Sequence, residues 1–273
     1  MKIENIQING FKPALRGMRN PKSSWNRSDT IYTKNNFEFN NKKNLMDKID
    51  NQTVSITMDD NPIIGEKDLK LATTLISGGP VHSKFARYIT VSMDITASLD
   101  FFKEYDTYKV ATVANSTSTM HTITKHPITI DNFSTADLRD IDINYIKTQI
   151  IPYLNGVVND NELSDIEKTR ILSKINLLGW EQTRTVLLNY ETLHNMFIWR
   201  KNHKLYEWRY LMNEYVAKFP YFKEFYIETD NKKTKYIQDI WNIIKNVEDE
   251  NYSKYVKENV KKYIIDNNIN IEL

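Results

Sequence analysis

Between residues 87 and 97 the chain reads RYITVSMDITA, with Ile89, Val91, Met93 and Ile95 in strict alternation among β-branched neighbours, the period of a half-buried strand. Just before it, EKDLKLATTLIS at 66–77 places Leu69, Ala72, Leu75 and Ile76 at helical spacing and ends against Gly78 and Gly79, the usual stop for a helix. The N-terminal IENIQI carries Ile3, Ile6 and Ile8 only partly in period two, and a long loop broken by Gly, Pro and Ser follows. A shorter strand is expected at 54–58, before a turn at DDNP. Residues 98–120 read as one or two helices weakened by Val and Thr, and 122–137 as irregular, with an N-cap signal at Ser134 or Thr135. Amphipathic helices are expected at 143–154, 164–176, 236–247 and 252–265. The longest helical stretch is expected at 181–219, bent near Lys201 and Asn202, and no internal repeat is visible.

Composition narrows the possible chemistry. At 273 residues with 40% hydrophobic positions, the chain can bury a substantial core, and one domain with insertions is favoured. Thirty-seven Lys and Arg against 35 Asp and Glu leave a net charge of +2, so no overall field points to a polyanionic partner and nucleic acid is not expected. The lack of cysteine excludes disulfides, thiolate metal sites and a catalytic thiol, and agrees with a reducing compartment. Neither a signal-like N-terminus nor a run approaching about 18 apolar residues is present, so a cytoplasmic location away from membranes is expected.

Two stretches carry candidate chemistry. DTYKVATVANSTSTMH, residues 106–121, gathers seven Thr, Ser and Asn side chains with no charge after Lys109, the make-up of a polar loop or of the wall of a site for an oxygen-rich ligand. In the second, advancing about 100° per residue puts Asn189, Leu193, Met196, Arg200, His203 and Glu207 near one line of a continuous helix. Other faces hold Leu187, Phe197, Ile198 and Leu205, so that helix would be buried and its polar groups would need partners. Arg200 either pairs with a carboxylate such as Glu207 while Asn189 caps or spans helices, or the guanidinium receives a phosphate or carboxylate and the amide a base or flavin edge. His203 and Glu207, four residues apart, lack the third ligand a metal site needs, and no metal is expected.

These residues resemble the flavin-dependent thymidylate synthases of the ThyX family, in particular divergent phage and prophage relatives, over roughly residues 75–212. GGPVHSKFARYITVSMDI supplies His82 and a strand, VANSTSTMH supplies Asn115 and Ser118 at the family's Asn and Ser positions, LNYETLHNMFIWR supplies Asn189, Leu193, Asn195 and Arg200, and HKLYE supplies His203 and Glu207. The family's Arg-His-Arg triplet falls on Tyr108, Lys109 and Val110, its closing Arg on Met120, and the first Arg of the later motif on Glu191. Lys109, Arg87 and Arg184 are the candidates to replace that charge, with Arg16 or Arg19 reaching in from the N-terminal loop.

The resemblance implies an α+β fold with helices packed on a small, mostly antiparallel sheet and a helical C-terminal part. It divides the chain into an N-terminal extension (1–65), a ThyX-like core (66–220) and a C-terminal helical extension (221–273). It further implies FAD as cofactor, with NADPH and methylenetetrahydrofolate as co-substrates, and methylation of dUMP to dTMP or a related nucleotide modification. The alternative is a catalytically degenerate nucleotide-binding or regulatory protein on the same fold. Arg200 is the implied catalytic residue. His82, Lys109, Asn189 and Asn195 are implied for the cofactor, and Asn115, Ser118, Arg184 and Arg200 for a small-molecule nucleotide. Family members are homotetramers with sites at subunit junctions, so a homo-oligomer is implied.

Overall fold

A central four-stranded antiparallel sheet in the order β1-β6-β8-β7 organises the chain: β1 (Lys2–Asn9), β6 (Thr90–Ser98), β8 (Glu181–Asn189) and β7 (Val113–Ser116). It is seen in a computed structural model that describes residues 1–45, 48–245, 250–267, 269 and 271. The uneven spacing of Ile3, Ile6 and Ile8 has a local cause. The ladder to β6 slips between Glu4 and Gln7, and Asn5 adopts φ 51°. This bulge shifts the phase by one residue, so all three isoleucines turn inward. In β6 the expected alternation holds, with Val91, Met93, Ile95 and Ala97 buried.

β1 leads through Gly10 at φ 91° into the short helix α1 (Phe11–Gly17), where the sequence suggested only loop. A side-chain carbon at residue 10 would lie 1.9 Å from the Tyr88 carbonyl oxygen, so the chain crosses there only as glycine. Two small ribbons follow: β2 (Ile31–Thr33) pairs with β5 (Asn61–Ile63), and β3 (Phe37–Leu45) with β4 (Lys48–Ile56). The second joins the free edge of β1 through reciprocal bonds of 3.0 Å between Thr57 and the backbone of Ile6 and Ile8. Helix α2 (Glu66–Ser77) forms as expected and packs through Ala72 and Ile76.

The stretch 181–219 is not one helix. Residues 181–189 form β8, registered on β6 from Thr90↔Asn189 to Ser98↔Glu181, with Val186 and Leu188 inward and Leu187 outward. The helix starts after it as α8 (Tyr190–Arg200). The chain breaks at 201–205 and resumes as α9 (Tyr206–Tyr210), which continues into a π-helical turn (Leu211–Tyr215). Residues 106–121 are likewise not helical until their end. They form an irregular run, the edge strand β7 and a single turn, α4 (Thr119–Thr122).

Between β7 and β8 lies a helical insertion: α5 (Asp140–Tyr145) running through a π turn into α6 (Ile151–Val158), then α7 (Asp165–Ile175), which starts at a capping box of Ser164 and Glu167. Ile123, Ile128, Phe133, Ile146, Leu154, Leu172 and Trp180 give it a small core of its own, separate from the main core under the sheet. Glu207 ties the two together. Its buried carboxylate accepts from the Ser98 backbone N–H at 3.0 Å, from the Ser98 hydroxyl, and from the Ser134 hydroxyl of the insertion at 3.1 Å. The chain closes with α10 (Glu228–Ile244) and α11 (Glu250–Asp266). The last residues of the helix expected at 236–247 lie outside the described residues.

Candidate functional site

Helix α3 (Leu99–Tyr105) and the residues after it read FFKEYDTY over 101–108, two acids among four aromatics, and the acids at its C-terminal end meet arginines of β8 and α8. Ser98 starts it, its Oγ accepting the Phe101 N–H at 3.1 Å. At the other end, where helix carbonyls concentrate negative potential, stand two guanidinium groups. Arg200 comes from the last turn of α8. Its Nη1 donates to the Glu104 carboxylate and its Nε to Tyr108 Oη at 2.9 Å, and its guanidinium carbon lies 5.1 Å from the Trp208 ring centroid. Arg184 comes from β8. Its Nη1 donates to Asp106 at 2.7 Å and its Nε to Gln182 at 3.0 Å, while the guanidinium stacks 4.1 Å from the Phe102 ring centroid. In both arginines Nη2 makes no hydrogen bond among the described residues.

His203 completes the Arg200 cluster. Its Nδ1 accepts the Leu205 N–H at 3.2 Å, which leaves Nε2 to carry the ring proton and face Glu104 at 3.1 Å. Beneath lie two buried polar atoms with no hydrogen-bond partner among the described residues, Tyr105 Oη and Trp208 Nε1, on rings stacked 6.5 Å apart. Burial pushes the Tyr105 hydroxyl well above its usual pKa, with Arg184 pulling it down and Asp106 pushing it up, so it stays protonated at neutral pH. Buried polar groups are nearly always paired, so each of these two atoms could take a water or ligand atom.

The expected site residues divide. Arg200 and Arg184 flank the end of α3, and Lys109, exposed and without an ion pair among the described residues, follows directly after Tyr108. Asn115 lies on β7 opposite Thr185, one residue from the Ser116↔Arg184 pair. Ser118 is exposed just before α4, its carbonyl accepting the Thr122 hydroxyl at 2.9 Å. Asn189 is buried as the N-cap of α8, its Oδ1 accepting the Thr192 N–H at 3.0 Å. His82 and Asn195 are exposed and make no hydrogen bond to the cluster. Arg200 does not meet Glu207, whose carboxylate is taken by serines. His203 and Glu207 therefore do not converge on a common point. Arg87 is paired bidentately with Glu191, and Arg19 is buried against Asp68. Sequence reading missed Glu104 and Asp106 as the arginines' partners; the alternation of acid and aromatic in EYDTY was the available signal.

An antiparallel sheet with a helical layer beneath it, a helical insertion before the last sheet strand and guanidinium groups gathered at one helix end define an α+β fold. No protein-family profile and no curated protein sequence matches the chain. Solved structures do match, and they make this the ThyX fold. Thymidylate Synthase X from Helicobacter pylori, crystallised with FAD and dUMP, superposes with a TM-score of 0.59 at 13% identity, covering 84% of this chain and 99% of that one. A second crystal structure of the flavin-dependent ThyX from the same organism, complexed with FAD and dUMP, gives 0.54 at 13% identity over 82% and 97%.

Proposed function

We propose that this chain binds a pyrimidine nucleotide beside the C-terminal end of α3, as a binding or regulatory protein on the ThyX fold in which flavin-dependent catalysis has been lost. The observation that carries this reading is the pairing of both candidate phosphate ligands, Arg184 and Arg200, with the chain's own Asp106 and Glu104. A dinucleotide cofactor needs its two phosphates matched by charge-assisted bonds worth about 1.5–3 kcal/mol each. With the Arg-His-Arg positions occupied by Tyr108, Lys109 and Val110, Lys109 is the one cation those three positions keep for that task. This donor set does not fit FAD within one chain. A pyrimidine ring asks for less. The spare Nη2 of Arg200 would donate to a ring carbonyl, the Ser116 hydroxyl, on the same sheet face as Arg184, would face the sugar, and Lys109 would meet a single phosphate.

A second reading is favoured by the extent of the structural match, which spans 99% of the Helicobacter pylori chain. On that reading the protein is a flavin-dependent methyltransferase of the thymidylate synthase type, converting dUMP to dTMP. FAD would meet His82, Lys109, Asn189 and Asn195, Arg200 would orient the pyrimidine, and Asn115, Ser118 and Arg184 would hold the nucleotide. A cytoplasmic homotetramer would supply the missing cations across subunit junctions. The absorption spectrum of the purified chain after saturation with FAD and gel filtration separates the two. The first reading expects no retained flavin and a rise of a few degrees in Tm with excess dUMP. Stoichiometric flavin with methyl transfer to dUMP would establish the second.

A further inference from the structure

We infer that Glu104 and Asp106 set which pyrimidine this site accepts, by filling from the solvent side the two guanidinium seats that a ligand phosphate would need. The inference rests on the binding reading above and adds the charge class of the ligand. The guanidinium groups lie inside and the acids outside: Arg200 is 18% and Arg184 14% exposed, against 34% for Glu104 and 53% for Asp106. The arginines are fixed from behind by rings, Trp208 and Tyr108 for one and Phe102 for the other. Both acids come from one segment, anchored between them by the buried Tyr105. A phosphate approaching either arginine must displace a carboxylate or settle beside it, and like charges at that range repel. A neutral nucleoside meets no such barrier, because the groups that remain beside Lys109 are neutral hydroxyls and the spare Nη2 atoms. Glu104 and Asp106 thus act as specificity-determining residues against anionic ligands.

The test is a calorimetric titration of the full chain with dUMP and, separately, with deoxyuridine, for the wild type, E104Q/D106N and D106N. The wild type is expected to bind the two ligands within about tenfold of each other. In E104Q/D106N the dUMP affinity is expected to rise about tenfold with deoxyuridine unchanged, a gain of about 1.4 kcal/mol confined to the phosphate. D106N alone, which loses a carboxylate more than half exposed and keeps the fold if the double variant does not, is expected to show a smaller rise of the same kind. A ratio of dUMP to deoxyuridine affinity that is the same in all three proteins would overturn the inference while leaving the binding reading intact. Binding of neither ligand by any of them would overturn both.

Discussion

Asp68 shows how much one buried carboxylate can arrange. Its Oδ1 receives Arg19 Nε at 2.6 Å, and its Oδ2 receives the hydroxyls of Ser28 and Thr30 and the Asp29 N–H, so the loop at 19–30 is pinned to α2. Burial alone would raise its pKa, but the bonds from Ser28, Thr30 and Arg19, together with the Arg19 charge, outweigh it and hold the group below the usual carboxylate range. A depressed folded pKa stabilises above the unfolded value, near 3.9, and that contribution fades as pH falls through the folded value. Urea unfolding followed against pH should therefore show this contribution constant from neutrality down to about pH 4 and lost below. Asp68→Ala should remove about 3–5 kcal/mol, because Arg19 is left buried and unpaired. Gly10→Ala should cost at least about 1–3 kcal/mol from its left-handed backbone alone, with the Tyr88 carbonyl clash adding to the loss of Tm. None of these partnerships follows from local spacing. Arg19 and Asp68 are 49 residues apart, and Arg200 finds Glu104 across 96 rather than Glu207 a turn or two away.

Among elements, those with an undisturbed period were legible: β6 by strict alternation, α2 by helical spacing and a glycine stop, α7 by its amphipathic spacing. β8 was not, because Val186, Leu187 and Leu188, taken together with the apolar positions of α8, satisfy a helical period as well as a strand. The β-branched Thr183, Thr185 and Val186, with Asn189 as an N-cap, held the correcting signal. That correction separates Asn189 from Arg200: one caps the helix and the other ends it, on a helix three turns long rather than a ten-turn face. The Arg-bearing half of the site survived the misreading because Arg200 lies within α8 itself. Glu207 is where elements depend on one another. Glu207→Ala leaves the Ser98 N–H and two hydroxyls facing a buried gap, at about 1–3 kcal/mol for each donor left unmatched. Limited proteolysis should then cut first within 117–180, the insertion it tethers, while the wild type resists.

Among the described residues one sheet face is left half-exposed. Thr90, Ser92, Asp94, Thr96, Thr183 and Thr185 line it, with Asp94 accepting from Thr185 at 2.6 Å and from Asn5 at 2.7 Å. Beside these hydroxyls, Val113 of the edge strand β7 and Leu187 of its neighbour β8 face each other, both exposed. We expect light scattering to give a mass well above 32.3 kDa, and V113E/L187E to lower it toward the monomer without unfolding. Such an assembly would not be visible from periodicity, since outward positions obey the same alternation whether they meet water or another subunit. Among the described residues no helix is long and apolar enough to cross a membrane. What unites these scales is the guanidinium cluster at the end of α3, for which we propose a pyrimidine ligand held without flavin. Calorimetric titration of dUMP into flavin-free protein, wild type and Arg200→Ala, addresses this directly. Saturable binding by the wild type and at least about a tenfold loss in the variant, with both proteins folded, is the expected result. Binding that is absent from the folded wild type, or unchanged by the substitution, would contradict it.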